Sequence, residues 1–188
     1  MGLNDEVGRR LKALRQGRAL SLSELSRRSG VGKGTLSELE SGTRNPTLET
    51  LYALTTALGS PLSAVLDDPP AGVTEGAGGV SGSAVTAVLL ERYEDADAAT
   101  DVFRVTIAGG ATQESAAHAP HTTESLMVLS GTAVVGRPEA PQTVTPGGHA
   151  HWSADAPHLY GAPHGDAHGI LFVRYPKRRP EQCPKRRS

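Results

Sequence analysis

Residues 21–42 read SLSELSRRSGVGKGTLSELESG, and they carry the signals for two short helices joined by a turn. Ser21 stands three residues before Glu24, which is the spacing of a capping box that starts a helix. Gly30 is suited to ending that helix, because glycine readily adopts the left-handed conformation common at helix C-termini. A second helix is predicted over residues 33–40. The stretch therefore predicts a helix, a tight turn and another helix.

The helical pattern continues on both sides of this pair. Apolar residues recur at helical spacing before it, as on the buried face of an amphipathic helix. After it, Thr47 is placed to cap a helix with a stripe of leucines, and Pro61 is placed to begin a last short helix. We therefore expect residues 1–66 to form an all-α head.

The stretch from residue 20 to residue 66 closely resembles the lambda-repressor-like helix-turn-helix of the XRE family. That resemblance implies sequence-specific binding to double-stranded DNA. The alternative is a small helical bundle with no DNA role, which the basic charge of the head disfavours. The residues that carry the resemblance are Leu25, Gly30, Val31, Leu36, Glu40, Gly42, Asn45, Pro46, Leu51 and Leu58.

The second helix of the pair is expected to enter the major groove. Lys33 is suited to donating to guanine, and Glu38 is suited to accepting from cytosine. Residues in the loop that follows the helix are expected to contact phosphates. One head makes a small footprint, so we expect a homodimer that reads two half-sites of an operator. The expected DNA-binding residues are Lys33, Gly34, Thr35, Ser37, Glu38, Thr43 and Arg44.

The composition changes after the head. Residues 67–83 are dominated by Gly, Pro and Ser, which predicts a flexible linker. Residues 84–175 contain short runs of β-branched, aliphatic and aromatic residues separated by turns, which predicts an all-β sandwich or barrel. Residues 176–188 predict a basic disordered tail, which either adds non-specific DNA affinity or is merely solvated. The predicted fold class is thus an all-α head followed by an all-β domain.

Charge is segregated in the same way. The net charge of −1 combines +3 over residues 1–66, −9 over residues 67–175 and +5 over residues 176–188. The single cysteine, Cys183, excludes an internal disulfide and is expected to be an exposed free thiol. The N-terminus lacks the apolar core of a signal peptide, and no run is as apolar as a membrane span. A cytoplasmic protein without membrane contact is expected.

Residues 118–131 read HAPHTTESLMVLSG and resemble the first motif of the cupin family. In that motif two histidines stand one residue apart, and a glutamate follows, then six residues and a glycine. His118 and Glu124 match, whereas the second histidine position holds Pro120 and His121 follows one residue late. His158, after a proline, matches the histidine of the second motif. The resemblance implies a double-stranded β-helix, the cupin barrel, over residues 84–175.

These residues predict a metal site in the barrel. His118, Glu124 and His158 are the candidate ligands, and His121 is a possible fourth, because a loop at Pro120 could return it to the site. Imidazole and carboxylate ligands suit Zn, Ni, Fe or Mn. The alternative is a pocket that holds an organic ligand or nothing. The remaining histidines fit neither motif and are expected at strand edges or in loops: His149, His151, His164 and His168.

A DNA-reading head joined to a cupin resembles a one-component transcriptional regulator. The resemblance implies that a small-molecule effector or a metal in the barrel modulates operator binding, and that the protein is not an enzyme. One alternative is a cupin metalloenzyme of the oxygenase or isomerase type with an accessory DNA-binding head; the missing second histidine counts against it. Another is a barrel that serves only for dimerisation.

Overall fold

The helices of the head form where the sequence predicts them. The computed structural model describes residues 3–66 and 79–177. No helix within these two ranges is long and apolar enough to cross a membrane. The head contains α1 (Leu3–Gly17), α2 (Leu22–Ser29), α3 (Lys33–Glu40), α4 (Leu48–Leu58) and a 3-10 helix (Leu62–Val65).

Local capping explains where the helices begin and end. The Ser21 side chain accepts a hydrogen bond from the backbone N–H of Glu24, and Gly30 ends α2 in the left-handed conformation. The Thr47 side chain caps α4 in the same way, by accepting from the N–H of Thr50. The predicted caps are therefore confirmed, because a cap depends on residues within one turn of each other.

The helices of the head pack through buried leucines and a buried ion pair. The leucines of α2, α3 and α4 pack together, and Leu25, Leu36 and Leu51 are fully buried among them. Arg15 on α1 makes a two-pronged pair with Glu40 at the end of α3, at 2.6 and 2.7 Å. This pair fixes α3 against α1, so the exposed side of α3 is held on a rigid frame.

The rest of the described chain is an antiparallel β-barrel of two facing sheets. The larger sheet has the order β1-β2-β3-β10-β5-β8, and the smaller has the order β4-β9-β6-β7. The predicted fold class, a helical head followed by a cupin-type barrel, is thereby confirmed. The strands are β1 (Val80–Ser81), β2 (Val85–Glu94), β3 (Ala98–Ile107), β4 (Thr112–Ser115), β5 (Thr123–Ser130), β6 (Ala133–Gly136), β7 (Gln142–Val144), β8 (His149–Ser153), β9 (His158–Gly161) and β10 (Ala167–Pro176).

The start of the β-rich region differs from the sequence prediction. Val80 and Ser81, inside the predicted linker, form β1 and pair with Ala87 and Thr86 of β2. A two-residue strand carries too little pattern to be recognised in a glycine-rich stretch. Most of the predicted linker, almost all of the predicted tail and Cys183 lie outside the described residues.

The head rests on the barrel through specific polar contacts. The buried carboxylate of Asp101 on β3 accepts from the backbone N–H of Ser63 at 3.0 Å and from its hydroxyl at 2.6 Å. Glu49 of α4 accepts from the backbone N–H of Ser83 at 2.8 Å. Tyr175 on β10 lies near the N–H of Leu62, with its hydroxyl oxygen at 3.5 Å. Both α4 and the 3-10 helix therefore contact the barrel.

Gly131, the last residue of the predicted motif, yields a stability prediction. It lies between β5 and β6 with φ +76°, and a Cβ there would come within 2.2 Å of the backbone oxygen of Asp166. We expect Gly131→Ala to lower the free energy of unfolding by about 4 kcal/mol, through backbone strain plus this clash.

Gly110 provides the control. It has φ +73°, but a Cβ there would meet nothing within 4 Å. Gly110→Ala should therefore cost only the strain, about 1 kcal/mol. Denaturant unfolding of both variants measures the difference, and equal losses would show that the close approach of Asp166 costs nothing.

Candidate functional site

Three of the four predicted metal ligands meet between the two sheets of the barrel. Glu124 lies on β5 of the larger sheet, and His158 begins β9 of the smaller sheet. His118 lies in the segment between β4 and β5, where its backbone N–H donates to Ala154 at 2.8 Å. One ligand atom from each of the three side chains lies within 4.8 Å of the others.

The three side chains form a buried group, which we call the triad, and within it His118 is hydrogen-bonded to Glu124. They are at most 5% exposed. His118 Nε2 donates to Glu124 Oε1 at 3.0 Å, and His158 Nε2 lies 3.3 Å from Glu124 Oε2. The hydroxyl of Tyr160 donates to the same Oε2 atom. Glu124 is thus the centre of the triad, with an imidazole against each of its oxygens.

The hydrogen bonding of His158 fits a metal ligand. Its Nδ1–H donates to the carbonyl of Ala156 at 3.0 Å, since a carbonyl only accepts. In the neutral ring Nε2 then carries the lone pair, and that buried atom has no hydrogen-bond partner among the described residues. A metal-bound histidine commonly donates its other N–H to a backbone carbonyl in this way. The two imidazoles and one carboxylate would hold a divalent cation such as Zn²⁺ or Fe²⁺.

Charge around Glu124 favours its ionised form. Burial alone raises the pKa of the Glu124 carboxyl, but the hydrogen bond from His118, the electrostatic interactions with the two imidazoles and the hydrogen bond from Tyr160 outweigh it and lower the pKa. Burial, followed by the charge of Glu124, raises the pKa of Tyr160 well above its ordinary value. Glu124 is therefore an anion, and Tyr160 is a neutral donor that orients it.

His121 lies apart from the triad. It is exposed, has φ +65°, and its backbone N–H donates to Asp155 at 3.0 Å. The turn at Pro120 gives His121 a different environment from that of His118, and its recruitment as a fourth ligand stays a prediction. The other four histidines are exposed and lie outside the triad, as expected: His149, His151, His164 and His168.

Two tyrosines belong to the site although the sequence did not single them out as functional. Tyr160 stands two residues after His158 on the same strand, so strand alternation could have placed it beside the triad. Tyr52 comes from α4 of the head, and its ring stacks on His118 with centroids 4.2 Å apart and planes at 22°. No sequence pattern predicts this contact, because the two residues are far apart in the chain.

Two cavities adjoin the contact between head and barrel. The smaller, about 40 Å³, lies beside His118 and is lined partly by Tyr52 and Glu49 of α4. The larger is a cleft of about 740 Å³, with Ser60 and Pro61 of the head on one side and Arg92, Tyr175 and other barrel residues on the other. Only the larger has the volume of a typical small-molecule site.

The face of α3 predicted to read DNA is available to solvent. Leu36 and Leu39 are buried as expected. Thr35 is half-buried, and the other predicted contacts on this helix are exposed: Lys33, Gly34, Ser37 and Glu38. The helix therefore exposes a hydrogen-bond donor, Lys33, and an acceptor, Glu38, and both kinds of group are used in the readout of base edges.

The loop after α3 is tied to the helix. The hydroxyl of Thr43 donates to the carbonyl of Glu38 at 3.1 Å. Arg44 pairs with the Glu38 carboxylate at 3.0 Å, and both side chains are about half exposed. An exposed pair of this kind contributes little stability, so either partner is free to exchange it for a contact to DNA.

Comparison with known proteins agrees with this arrangement. A helix-turn-helix family model matches residues 11–65. The chain is 30% identical over 168 residues to the HTH-type transcriptional regulator SutR of Escherichia coli (strain K12), covering 89% of this chain and 93% of the relative. Over 66 residues it is 41% identical to the transcriptional regulator ClgR of Mycobacterium tuberculosis, covering 35% of this chain and 59% of the relative.

The whole arrangement also has a counterpart among solved structures. The crystal structure of an HTH_3 family transcriptional regulator from Vibrio cholerae superposes with a TM-score of 0.77 at 25% sequence identity. The match covers 93% of this chain and 98% of that one, so it includes the helices and the barrel together.

Proposed function

Because the chain belongs to the family of HTH-type transcriptional regulators, with an XRE-type head and a C-terminal cupin barrel, we propose that it is a metal-responsive DNA-binding regulator. The proposed response to metal rests on one observation, the buried triad of His118, Glu124 and His158. A buried carboxylate between two imidazoles, one with an unpartnered nitrogen, is more stable around a divalent cation than without one. The head then acts on DNA and the barrel supplies the signal.

The head binds an operator through the exposed side of α3. Lys33 and Glu38 read base edges, and the neighbouring Gly34, Thr35 and Ser37 lie in the groove beside them. Thr43 and Arg44 contact phosphates and fix the orientation of the helix. A homodimer in the cytoplasm is the working form, because two half-sites supply the affinity that one small head lacks. Sedimentation of the purified chain measures the dimer directly.

A regulator is favoured over a cupin metalloenzyme by the surroundings of the triad. Metal catalysis requires an open coordination position that a substrate reaches. The triad is buried, Tyr52 covers His118, and the cavity beside His118 is about 40 Å³, smaller than an organic substrate. The triad therefore serves as a site for an ion rather than for turnover. A steady-state test for oxygen consumption by the iron-loaded protein separates the two functions.

An organic effector is a second candidate signal, and the larger cleft supports it. Its volume of about 740 Å³ suits a small molecule, and it lies between the head and the barrel. Arg92 and Lys177 both pair with Glu94 at its edge, at 2.7 and 3.1 Å. A carboxylate-bearing ligand would replace Glu94 as their partner. Thermal-shift screening of metal-free protein with small organic acids tests this.

The DNA-binding face yields a prediction about base preference. We expect Lys33→Ala and Glu38→Ala each to relax the preference at one position of each half-site, by about 1–3 kcal/mol. Selection from a random duplex library, followed by sequencing, measures this.

Arg44→Ala provides the contrast. It should weaken binding to all duplexes alike and reduce the slope of log affinity against log salt, because a phosphate contact carries no sequence information. Unchanged sequence preferences in both α3 variants would show that this helix does not read bases.

A further inference from the structure

The DNA-binding head supplies part of the wall of the triad. Tyr52 of α4 stacks on His118, and His118 in turn lies edge-on to His158 with ring centroids 5.0 Å apart. The small cavity beside His118 is closed on one side by Glu49, Tyr52 and Ala53 of α4. A helix of the head therefore covers the triad directly.

Because the triad is buried, the groups that cover it control access to it. Glu124 and His158 are 0% exposed, and His118 is 5% exposed. An ion bound to these side chains cannot meet solvent or a chelator until a covering group moves. Tyr52 is such a group, and it belongs to the part of the chain that binds DNA.

The cover is held in place by contacts remote from the triad. Ser63, just beyond α4, donates twice to the buried carboxylate of Asp101, and Glu49 accepts from the N–H of Ser83. Interfaces of this kind between parts of one chain commonly open and close. The structure shows the docked state of the head, in which Tyr52 covers His118, and a polar interface of this kind permits an open state as well.

From this geometry we propose that the head is the gate of the metal site, so that metal exchange and head docking are coupled through Tyr52. This rests on the proposed function, because it presupposes that the triad binds a metal. A bound cation draws electrons from the His118 ring, which strengthens its attraction to the face of Tyr52. Metal thus favours docking, and by linkage docking tightens metal binding by the same factor. Release of the metal is slower in the docked state because Tyr52 covers the buried His118.

Docking transmits this effect to the DNA-binding face. Leu51 and Leu54, the neighbours of Tyr52 on α4, are buried in the core of the head, so a shift of Tyr52 moves the head as a unit. The exposed side of α3 remains free in the docked state. Metal therefore fixes the orientation of a head that is still able to bind DNA.

The test measures how fast full-length protein loaded with Zn²⁺ releases it to an excess of chelator. We expect Tyr52→Leu to release Zn²⁺ about tenfold faster than wild type, because an aromatic pair changes an equilibrium by up to about that factor. Tyr52→Phe, which keeps the ring, should recover most of the difference. Tyr93→Leu, at a tyrosine exposed on β2, is the matched control and should behave as wild type.

A second variant acts without touching the triad or its cover. Ser63→Ala removes the hydroxyl that anchors the docked head to Asp101, and should also speed Zn²⁺ release about tenfold. Ser81→Ala removes an exposed hydroxyl contact to Thr86 on the barrel and should have no effect. Hydrogen exchange at the Ser63 amide should slow when Zn²⁺ binds to wild type.

The outcomes separate this proposal from the proposed function. In one outcome, the wild type binds one Zn²⁺ per chain while Tyr52→Leu and Ser63→Ala release it at the wild-type rate. That result would contradict the proposed gating by the head and would support the proposed metal site. If the wild type takes up no Zn²⁺ at all, the metal site is wrong and the gate falls with it. Faster release from both variants, with wild-type behaviour in both controls, supports the gate.

Discussion

Replacing His158 with alanine is expected to abolish stoichiometric metal binding, with affinity for Zn²⁺ falling at least about a hundredfold. Among the three proposed ligands, His158 is the one whose position and hydrogen bonding leave it the least freedom to be replaced. The backbone of β9 fixes it, and Ala156 holds Nδ1 so that Nε2 is left for the ion. Loss of one of three protein ligands removes a large share of the binding free energy of such a site. Competition titration against a chromophoric chelator measures it.

Two further histidine variants sharpen the result. His164→Ala changes an exposed histidine of the same barrel and should bind Zn²⁺ as wild type does. His121→Ala tests the predicted fourth ligand: a loss comparable to that of His158→Ala would mean that the loop brings it to the triad when metal binds. Full uptake by His158→Ala would contradict the assignment of the triad as the metal site.

The parts of the fold that could be predicted from the sequence are those set by local interactions. The caps at Ser21 and Thr47 depend on a hydrogen bond to an N–H three residues on, so residue type and spacing suffice to locate them. The burial of Leu36 and Leu39 follows from helical periodicity in the same way. The same helical periodicity predicted which residues lie on the exposed side of α3.

The candidate site was only partly predictable, because its residues are joined by tertiary contacts. His118, Glu124 and His158 were found through the resemblance to the cupin motifs, not through any periodicity that requires them to meet. The stack of Tyr52 on His118 depends on how the head packs on the barrel, which no local pattern determines. The contact of Ser63 with Asp101 could not be predicted from the sequence for the same reason.

Loading the triad with Zn²⁺ is expected to change operator affinity by about 5- to 150-fold, the range typical of coupling between two sites. We expect binding to tighten. The exposed side of α3 is free in the docked head, and a head of fixed orientation loses less conformational freedom when it binds DNA. A dimer gains this advantage at both half-sites. His158→Ala should retain the affinity of metal-free protein whether or not Zn²⁺ is added.

The measurement that tests the central claim most directly is the affinity of the full chain for one selected duplex, with and without Zn²⁺. The duplex is chosen by wild-type protein from a random library, and occupancy of the metal site is verified by elemental analysis. The account predicts that wild type binds at least about fivefold more tightly when loaded, and that His158→Ala shows no response. Equal affinities of verified metal-free and Zn²⁺-loaded wild type would contradict it, because the barrel would then not regulate the head through this site.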